Sequence, residues 1–164
     1  MNNLFVQPDI SFDTDACNQS YSGRITNGVI KSFNYPFDYI NNLSCTYKFY
    51  FSDAQYTTSK KICFKTRRFD LERSIAYCTF DYLQIEDNKY CGRGLWQKGL
   101  YDPKQPTSSL WVNNLCWSLN YVETFELKFV SDSSVVGAGF YFEYSIINNT
   151  TDFSHQYPDS KIDK

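Results

Sequence analysis

The chain has 164 residues and a formal net charge of −2, with 16 basic and 18 acidic residues mixed along its length. This length fits one domain with flanking segments, and this charge gives no electrostatic reason to expect nucleic acid or an anionic membrane surface as a partner. Aromatic residues are common, at 14 Tyr, 14 Phe and 3 Trp, and they favour half-buried β-sheet surfaces over disorder.

The first sixteen residues are polar and mixed, and they are predicted to form an N-terminal arm. Met1 to Asp15 contain neither the basic start nor the apolar stretch of a secretory signal peptide. We therefore expect either that Met1 is an artificial start or that the chain is part of a longer secreted protein. No run of apolar residues reaches the length of about 18 that a membrane-spanning helix needs.

The middle of the chain alternates apolar and polar residues with a period of two, which predicts β-strands. The alternation is clearest at residues 47–51, 82–85, 125–129 and 140–146. Turn-forming residues separate these segments, and no segment has the pattern of an amphipathic helix. Many short strands separated by turns predict an all-β sandwich or barrel, in either an immunoglobulin-like or a jelly-roll-like arrangement.

From about Asn148 the sequence becomes polar again, so residues 148–164 are predicted to be a flexible tail or linker. Between the two flanks there is no obvious linker and no internal repeat. We therefore expect a single domain between the arm and the tail.

The cysteines are even in number, widely spaced and without a Cys-x-x-Cys pair: Cys17, Cys45, Cys63, Cys78, Cys91 and Cys116. This pattern predicts three disulfides and an oxidising compartment rather than a zinc or thioredoxin-like site. The residues alone allow fifteen pairings. Secretion is also indicated by sequons for N-glycosylation, which begin at Asn18, Asn42, Asn148 and Asn149.

Catalytic motifs are absent from the sequence. The only histidine is His155, in the polar tail, where no ordered scaffold is expected to hold it for Ser-His-Asp or Cys-His chemistry. There is no Gly-x-Ser-x-Gly elbow, no His-Glu-x-x-His and no phosphate-binding glycine loop. The chain is therefore predicted not to be an enzyme.

Three segments of the chain carry distinctive motifs. In residues 17–47 a cysteine, the turn SFNYPFDY and a second cysteine follow one another. Residues 69–92 contain FDLE, CTFDYLQI and CG in this order, and residues 127–140 read LKFVSDSSVVGAGF. Together these segments resemble the CUB domain family, with its SPNYP-type turn, its FDLE…C-x-YDYLEI…CG segment and its LxFxSDSSVxGxGF ending, although Phe33 replaces the usual proline of the turn. The resemblance covers residues 17–147 and implies an antiparallel, jelly-roll-like β-sandwich.

The resemblance also implies a disulfide pattern. Cys17 is expected to pair with Cys45, and Cys78 with Cys91. Cys63 and Cys116 then remain as a hypothetical third pair, similar to an additional pair in arthropod members of the family.

A calcium site is the main chemical feature that the resemblance implies. Its ligands would be the carboxylates of Glu72, Asp81 and Asp132 and the main-chain carbonyls of Ser134 and Val135. Calcium prefers six to eight oxygen ligands, and three carboxylates without a cation would repel one another. One extra residue between the first two acids, relative to the family, either bulges harmlessly or moves Glu72 out of reach. The alternative interpretation is that all three are ordinary loop acids.

Two functions are compatible with these residues. By resemblance, calcium-ordered loops would present carboxylates to a Lys or Arg side chain of an extracellular protein partner, with Tyr39 as a neighbour. The chain would then be a secreted, non-catalytic binding module, such as a targeting domain of a protease or an adhesion protein. The alternative is a metal-independent adhesion module that binds glycans through exposed aromatic residues near the apparent insertion from Arg93 to Asn120. The candidates for such a patch are Tyr90, Trp96, Tyr101 and Trp117.

Overall fold

The computed structural model describes residues 17–51, 53–74, 77–93, 96–97 and 114–149. The predicted arm lies outside these residues, and so do residues 150–164 of the predicted tail, with His155 among them. Most of the apparent insertion, including Tyr101, also lies outside them.

The described residues form ten strands and one short helix. In chain order they are β1 (Gln19–Gly23), β2 (Asn27–Lys31), β3 (Ser44–Phe51), α1 (Ala54–Thr57), β4 (Lys60–Asp70), β5 (Tyr82–Ile85), β6 (Asn88–Cys91), β7 (Trp96–Gln97), β8 (Asn114–Ser118), β9 (Thr124–Val130) and β10 (Gly139–Asn148). The segments predicted from alternation are confirmed as β3, β5, β9 and β10. Since β10 ends at Asn148, the first residue of the predicted tail belongs to the sheet.

Helix α1 is a difference from the prediction, because the sequence indicated no helix. It is a single turn, and its N-terminus is capped by Asp53, whose carboxylate accepts a hydrogen bond of 2.8 Å from the N–H of Gln55. One turn is too short to repeat an apolar face, so it leaves no periodic signal in the sequence.

The strands form two sheets, as predicted for an all-β sandwich. One has the order β1-β3-β9-β5-β6-β7, and the other has the order β2-β10-β4-β8. Within the described residues every pairing is antiparallel except that of β1 with β3, which is parallel. The antiparallel sandwich expected from the sequence is thus confirmed, with one parallel pairing at this edge, where the chain passes through β2 of the second sheet between β1 and β3.

The core lies between the two sheets and is largely aromatic. Along β9, Phe125, Leu127 and Phe129 are buried, while the residues between them face solvent. Rings from opposite sheets meet edge to face, with Tyr47 of β3 against Phe140 of β10 at 5.7 Å between centroids. Such contacts add about 0.5–1.5 kcal/mol each to the free energy gained from burial alone. Thirteen aromatic side chains of the described residues are buried, so much of the aromatic content is used inside the sandwich.

Three disulfides join the described residues, and all three pairings expected from the sequence are confirmed. They link Cys17 to Cys45, Cys63 to Cys116, and Cys78 to Cys91. The second joins directly paired positions of β4 and β8, on the second sheet. The third closes a loop across a sequence separation of 13 and so holds the segment that precedes β5.

Three loops meet at one end of the sandwich: residues 32–43, the segment 71–81 and residues 131–138. Main-chain hydrogen bonds tie the first to the third, from Tyr39 N–H to the Gly137 carbonyl at 3.2 Å and from Asn42 N–H to the Asp132 carbonyl at 2.7 Å. Gly137 allows a close approach, because a Cβ there would collide with the Asp70 carbonyl at the end of β4. The loops are thereby fixed to one another before any ligand is considered.

In the part of the chain that the structure describes, no helix has the length and apolar character needed to cross a membrane.

Candidate metal centre

Glu72, Asp81 and Asp132 converge where the three loops meet. Glu72 follows β4, Asp81 precedes β5 and Asp132 follows β9. Each residue offers a carboxylate oxygen, and these oxygens all lie within 4.8 Å of one another. The extra residue between Glu72 and Asp81 therefore does not move Glu72 out of reach.

The described residues between Glu72 and Asp81 turn sharply. Tyr77 and Cys78 both adopt positive φ, at 63° and 47°. The Ser74 hydroxyl lies 3.0 Å from the Thr79 hydroxyl and accepts a hydrogen bond of 3.2 Å from the Thr79 N–H. The disulfide from Cys78 to Cys91 anchors the end of this segment, next to Asp81, to β6.

Asp81 is the buried acid of the cluster, with no side-chain exposure. Its Oδ2 accepts a hydrogen bond of 2.5 Å from the Tyr39 hydroxyl, and its Oδ1 accepts one of 2.7 Å from the Asp132 N–H. Burial raises the pKa of Asp81, the two hydrogen bonds oppose this shift, and the Asp132 carboxylate adds to it. The hydrogen bonds thus hold a charged group in a place where burial alone would favour its neutral form.

Tyr39 lies beside the cluster, as the resemblance implied, but it is not a surface residue. Its side chain is 1% exposed, and its ring packs edge to face on Phe129. Its hydroxyl donates to Asp81 and accepts a hydrogen bond of 3.1 Å from the Glu72 N–H. Because burial and the Asp81 carboxylate raise the pKa of its phenol, Tyr39 remains a donor at neutral pH. Its burial does not suit the role of a ligand-binding candidate in direct contact with a partner; it positions two acids instead.

Glu72 carries the least satisfied oxygen of the cluster. Its Oε2 is buried and has no hydrogen-bond partner among the described residues. Burial raises the pKa of the Glu72 carboxyl, and the carboxylates of Asp132 and Asp81 raise it further. A buried carboxylate oxygen without a donor is costly, and a cation would remove the cost for all three acids at once. The geometry and charge of the cluster therefore suit a metal ion.

Asp132 and its loop form the third side of the cluster. Asp132 Oδ1 accepts a hydrogen bond of 2.8 Å from the Ser134 N–H, which turns the loop back on itself. Val135 follows with a φ of 46°, and both Ser134 and Val135 are exposed. The two predicted carbonyl ligands thus belong to the same tight loop as Asp132.

Of the other aromatic candidates, the two whose side chains the structure describes do not form an exposed patch. Tyr90 is 3% exposed, so its assignment to a surface patch is wrong: it lies on the inner face of β6. Trp117 is also not a free surface residue, because it packs on Phe64 and Phe125 at centroid distances of 5.8 and 5.9 Å. Trp96 lies in β7, and its side chain is outside the described residues, as is all of Tyr101.

The sequence analysis missed a set of exposed apolar side chains on the same three loops. Phe37 is 72% exposed and lies two residues before Tyr39, and Phe80 is exposed beside Asp81. Val135 and Val136 are exposed and line a groove of about 530 Å³ together with Glu72. Alternation does not apply to loops, so the only signal for these residues was their position next to the predicted acids. Exposed apolar residues around a charged centre are typical of a binding surface.

All four sequon asparagines are exposed. Asn42 is the one nearest the acidic cluster, through its N–H bond to Asp132. Glycosylation of these residues stays a prediction.

The comparisons with known proteins agree on the fold. A family model of the CUB domain matches residues 17–144. Bone morphogenetic protein 1 from Xenopus laevis is 33% identical over 122 residues, which cover 71% of this chain and 14% of that protein. The chain therefore spans only a small part of this relative.

Solved structures with the same fold include one full extracellular region, one three-domain fragment and one isolated domain. The full extracellular region of zebrafish Gpr126/Adgrg6 matches with a TM-score of 0.57 and 24% identity, over 80% of this chain and 15% of that one. The CUB1-EGF-CUB2 domains of rat MASP-1 match with a TM-score of 0.55 and 20% identity, over 79% of this chain and 42% of that one. A crystal structure of the MASP-1 CUB2 domain bound to Ca2+ matches with a TM-score of 0.52 and 20% identity, over 77% of this chain and 96% of that one. Identities this low show the fold alone.

Proposed function

The chain belongs to the CUB domain family, and we propose that it is a calcium-dependent module that binds a Lys or Arg side chain of an extracellular protein. CUB domains are non-catalytic binding modules, so the prediction that the chain is not an enzyme is confirmed. The three disulfides support an oxidising, extracellular compartment. The observation that carries the proposal is the cluster of three carboxylates with one buried oxygen that has no partner.

Calcium is the cation that suits these ligands best. It accepts six to eight oxygens in flexible geometry, whereas zinc prefers nitrogen and sulfur. Glu72, Asp81 and Asp132 would supply carboxylate oxygens, and Ser134 and Val135 would supply carbonyl oxygens, with water completing the shell. The calcium-bound CUB2 domain of MASP-1, which shares this fold, supports the choice. When bound, the ion would offset two of the three negative charges and hold the three acids together.

A basic side chain is the partner group that the charge balance favours. Three carboxylates and one divalent cation leave one negative charge at the surface, which attracts an ammonium or guanidinium group. Such a charge-assisted hydrogen bond contributes about 1.5–3 kcal/mol. Val135 and Val136 beside Glu72 offer apolar contact for the aliphatic stem of the same side chain, since Lys and Arg bury their stems while the charge stays in water.

The metal-independent glycan-binding alternative has less support. It required exposed aromatic residues, and of its candidates Tyr90 is buried and Trp117 packs against the core. By contrast, the exposed side chains of Val135 and Val136 line a groove together with Glu72. They therefore favour one surface that combines a charged centre with an apolar border.

The proposal is tested by the binding of the chain to an immobilised lysine-rich peptide in calcium and in excess chelator. We expect calcium-dependent binding that free lysine inhibits, and a loss of roughly tenfold or more in affinity for Asp132→Asn, because one charged contact is removed. Asp87→Asn is the matched control. Asp87 lies in the turn after β5, at the far end of that strand from Asp81, and it should bind like the natural chain. Binding that ignores chelator, or equal losses in both variants, would contradict the proposal.

A further inference from the structure

The outer face of the four-stranded sheet carries a concentration of positive charge. Strand β4 alternates buried Ile62 and Phe64 with outward-facing Lys61 and Lys65, and Arg68 continues the outward row. A register shift between Tyr141 and Phe142 of β10 accommodates Arg67 as an additional residue on β4. We call this surface the basic face and define it by Lys31, Lys61, Lys65, Arg67 and Arg68.

Residues that are distant in sequence are brought together here. Lys31 of β2 pairs with Tyr141 of β10, and Tyr141 pairs with Arg68 of β4, so the three lie in one row across the sheet. Neighbouring strands are about 4.8 Å apart, which places the two cations roughly 10 Å from each other. Basic and acidic residues are therefore evenly mixed along the sequence but not on the surface of the folded chain.

One acid lies among these cations. Glu143 of β10 forms an ion pair of 2.9 Å with Arg67, and the pair raises the pKa of Arg67 and lowers that of Glu143. The strands of this sheet contain six basic residues and only two acids, Asp70 and Glu143, in a chain whose net charge is −2. Asp70 accepts a hydrogen bond from Arg93 at the end of β4, so its charge does not offset the cations at the centre of the face.

The basic face is built on rigid elements. Strands β2, β10, β4 and β8 are hydrogen-bonded side by side with one register shift, at Arg67, and the Cys63–Cys116 disulfide lies among the outward-facing positions. Lys31 is held over the rings of Tyr141 and Tyr35, with its Nζ at 5.4 and 5.8 Å from the two centroids. Side chains held in this way lose less conformational entropy when a ligand binds.

We propose that the basic face binds a sulfated polysaccharide. Along β4, Lys61, Lys65 and Arg68 follow one another at intervals of roughly 10–13 Å over a span of about 20 Å, which suits an extended polymer with repeated negative groups. Arg and Lys bind such oxyanions through charge-assisted hydrogen bonds, and basic patches of this size are typical of heparin-like ligands. Disulfide bonds indicate an oxidising compartment, where sulfated polysaccharides rather than nucleic acids are the abundant polyanions.

This surface is separate from the acidic cluster in both charge and place. The cluster lies on loops at the end of the sandwich, whereas the basic face is the outside of one sheet. Polysaccharide binding should therefore be unaffected by chelator and by Asp132→Asn. This independence distinguishes a failure of the present inference from a failure of the proposed function.

The experiment measures the affinity of the full chain for heparin and for chemically desulfated heparin at about 0.15 M salt. We expect heparin binding that weakens steeply as salt rises, because bound counterions are released, and no binding of the desulfated polymer. Lys65→Gln with Arg68→Gln should lower the affinity roughly tenfold or more, since two charged contacts are lost. Glu143→Gln should increase the affinity, because it removes the one acid from the face.

Lys48→Gln with Lys128→Gln is the matched control. It removes the same charge from the outer face of the other sheet, where Lys48 lies 3.8 Å from Glu126. Thermal unfolding of every variant checks that the fold is retained. The inference is overturned if the control loses as much affinity as the test variant, if desulfated heparin binds equally well, or if duplex DNA or anionic vesicles bind more tightly than heparin.

Discussion

Glu72→Gln is expected to make the chain more stable than the natural sequence in excess chelator, and to remove the stabilisation that calcium provides. The natural Glu72 places a buried, unpartnered oxygen close to two other carboxylates. Charges at such distances near a protein surface repel by a few kcal/mol, so a neutral amide should stabilise the metal-free chain by roughly 1 kcal/mol or more. Thermal unfolding at pH 7 in chelator and in millimolar calcium measures both effects.

The natural chain, in contrast to Glu72→Gln, should be stabilised by calcium. Calcium at 100 times its dissociation constant stabilises by about 2.7 kcal/mol, which raises the unfolding temperature by several degrees. Extracellular calcium sites are as weak as about 10⁻⁴–10⁻³ M, so the titration must reach high millimolar concentrations. Tyr39→Phe should reduce this gain without removing it, because its ring still packs on Phe129 while Asp81 loses a hydrogen bond.

Glu72 also determines how the stability of the metal-free chain depends on pH. The pKa of the Glu72 carboxyl is higher in the folded chain than in the unfolded chain, so protonation of this group stabilises the fold. This stabilisation is complete below the ordinary pKa of 4.5 and is lost as the pH rises through the folded pKa. In chelator, the natural chain should therefore lose stability relative to Glu72→Gln as the pH rises above 4.5. Glu126→Gln, on the outer face of the other sheet, serves as the control and should show neither effect. A Glu72→Gln chain that is less stable in chelator, or that keeps the full calcium response, would refute the assignment.

Phe140→Ala is expected to cost the most stability of any single change in the core. Phe140 is fully buried and contacts Phe129 and Phe142, both at 5.4 Å between ring centroids, and also Tyr47. Removing such a ring costs about 3–5 kcal/mol, because apolar burial is lost and a cavity is left behind. Total stabilities of domains are about 5–15 kcal/mol, so the variant should be close to its folding limit. Chemical denaturation of the oxidised chain measures the difference.

The matched control is Phe37→Ala, which deletes the same ring at a position that is 72% exposed. Its stability should remain within about 0.5 kcal/mol of the natural chain, as for most surface substitutions. A similar loss in both variants would contradict the packing described for β10. A small loss at Phe140 alone would mean that the two sheets do not meet through this ring.

The strands were predictable because their signal is local. Alternation along residues 125–129 depends only on neighbours two positions apart, and the structure keeps the same residues inside. The disulfides and the acidic cluster were predictable only through the family resemblance, because the residues alone left fifteen pairings and gave no reason to bring Glu72, Asp81 and Asp132 together.

The remaining features depend on contacts between distant segments. Nothing local in the sequence shows that the loops bury Tyr39, or that Trp117 packs on Phe64 from a neighbouring strand. The basic face was hidden for the same reason, since Lys31 meets Arg68 only across β10. The parallel pairing of β1 with β3 likewise comes from topology, because either direction of pairing shows the same alternation.

The most direct measurement is diffraction from crystals grown in millimolar calcium, with the anomalous signal used to locate the ion. We expect an ion between the carboxylates of Glu72, Asp81 and Asp132, with oxygen ligands at about 2.3–2.6 Å, and no such ion in crystals of Asp132→Asn. Well-ordered carboxylates that bind only water at that calcium concentration would contradict the account. The acidic cluster would then be a set of loop acids, and the binding surface would have to be sought elsewhere.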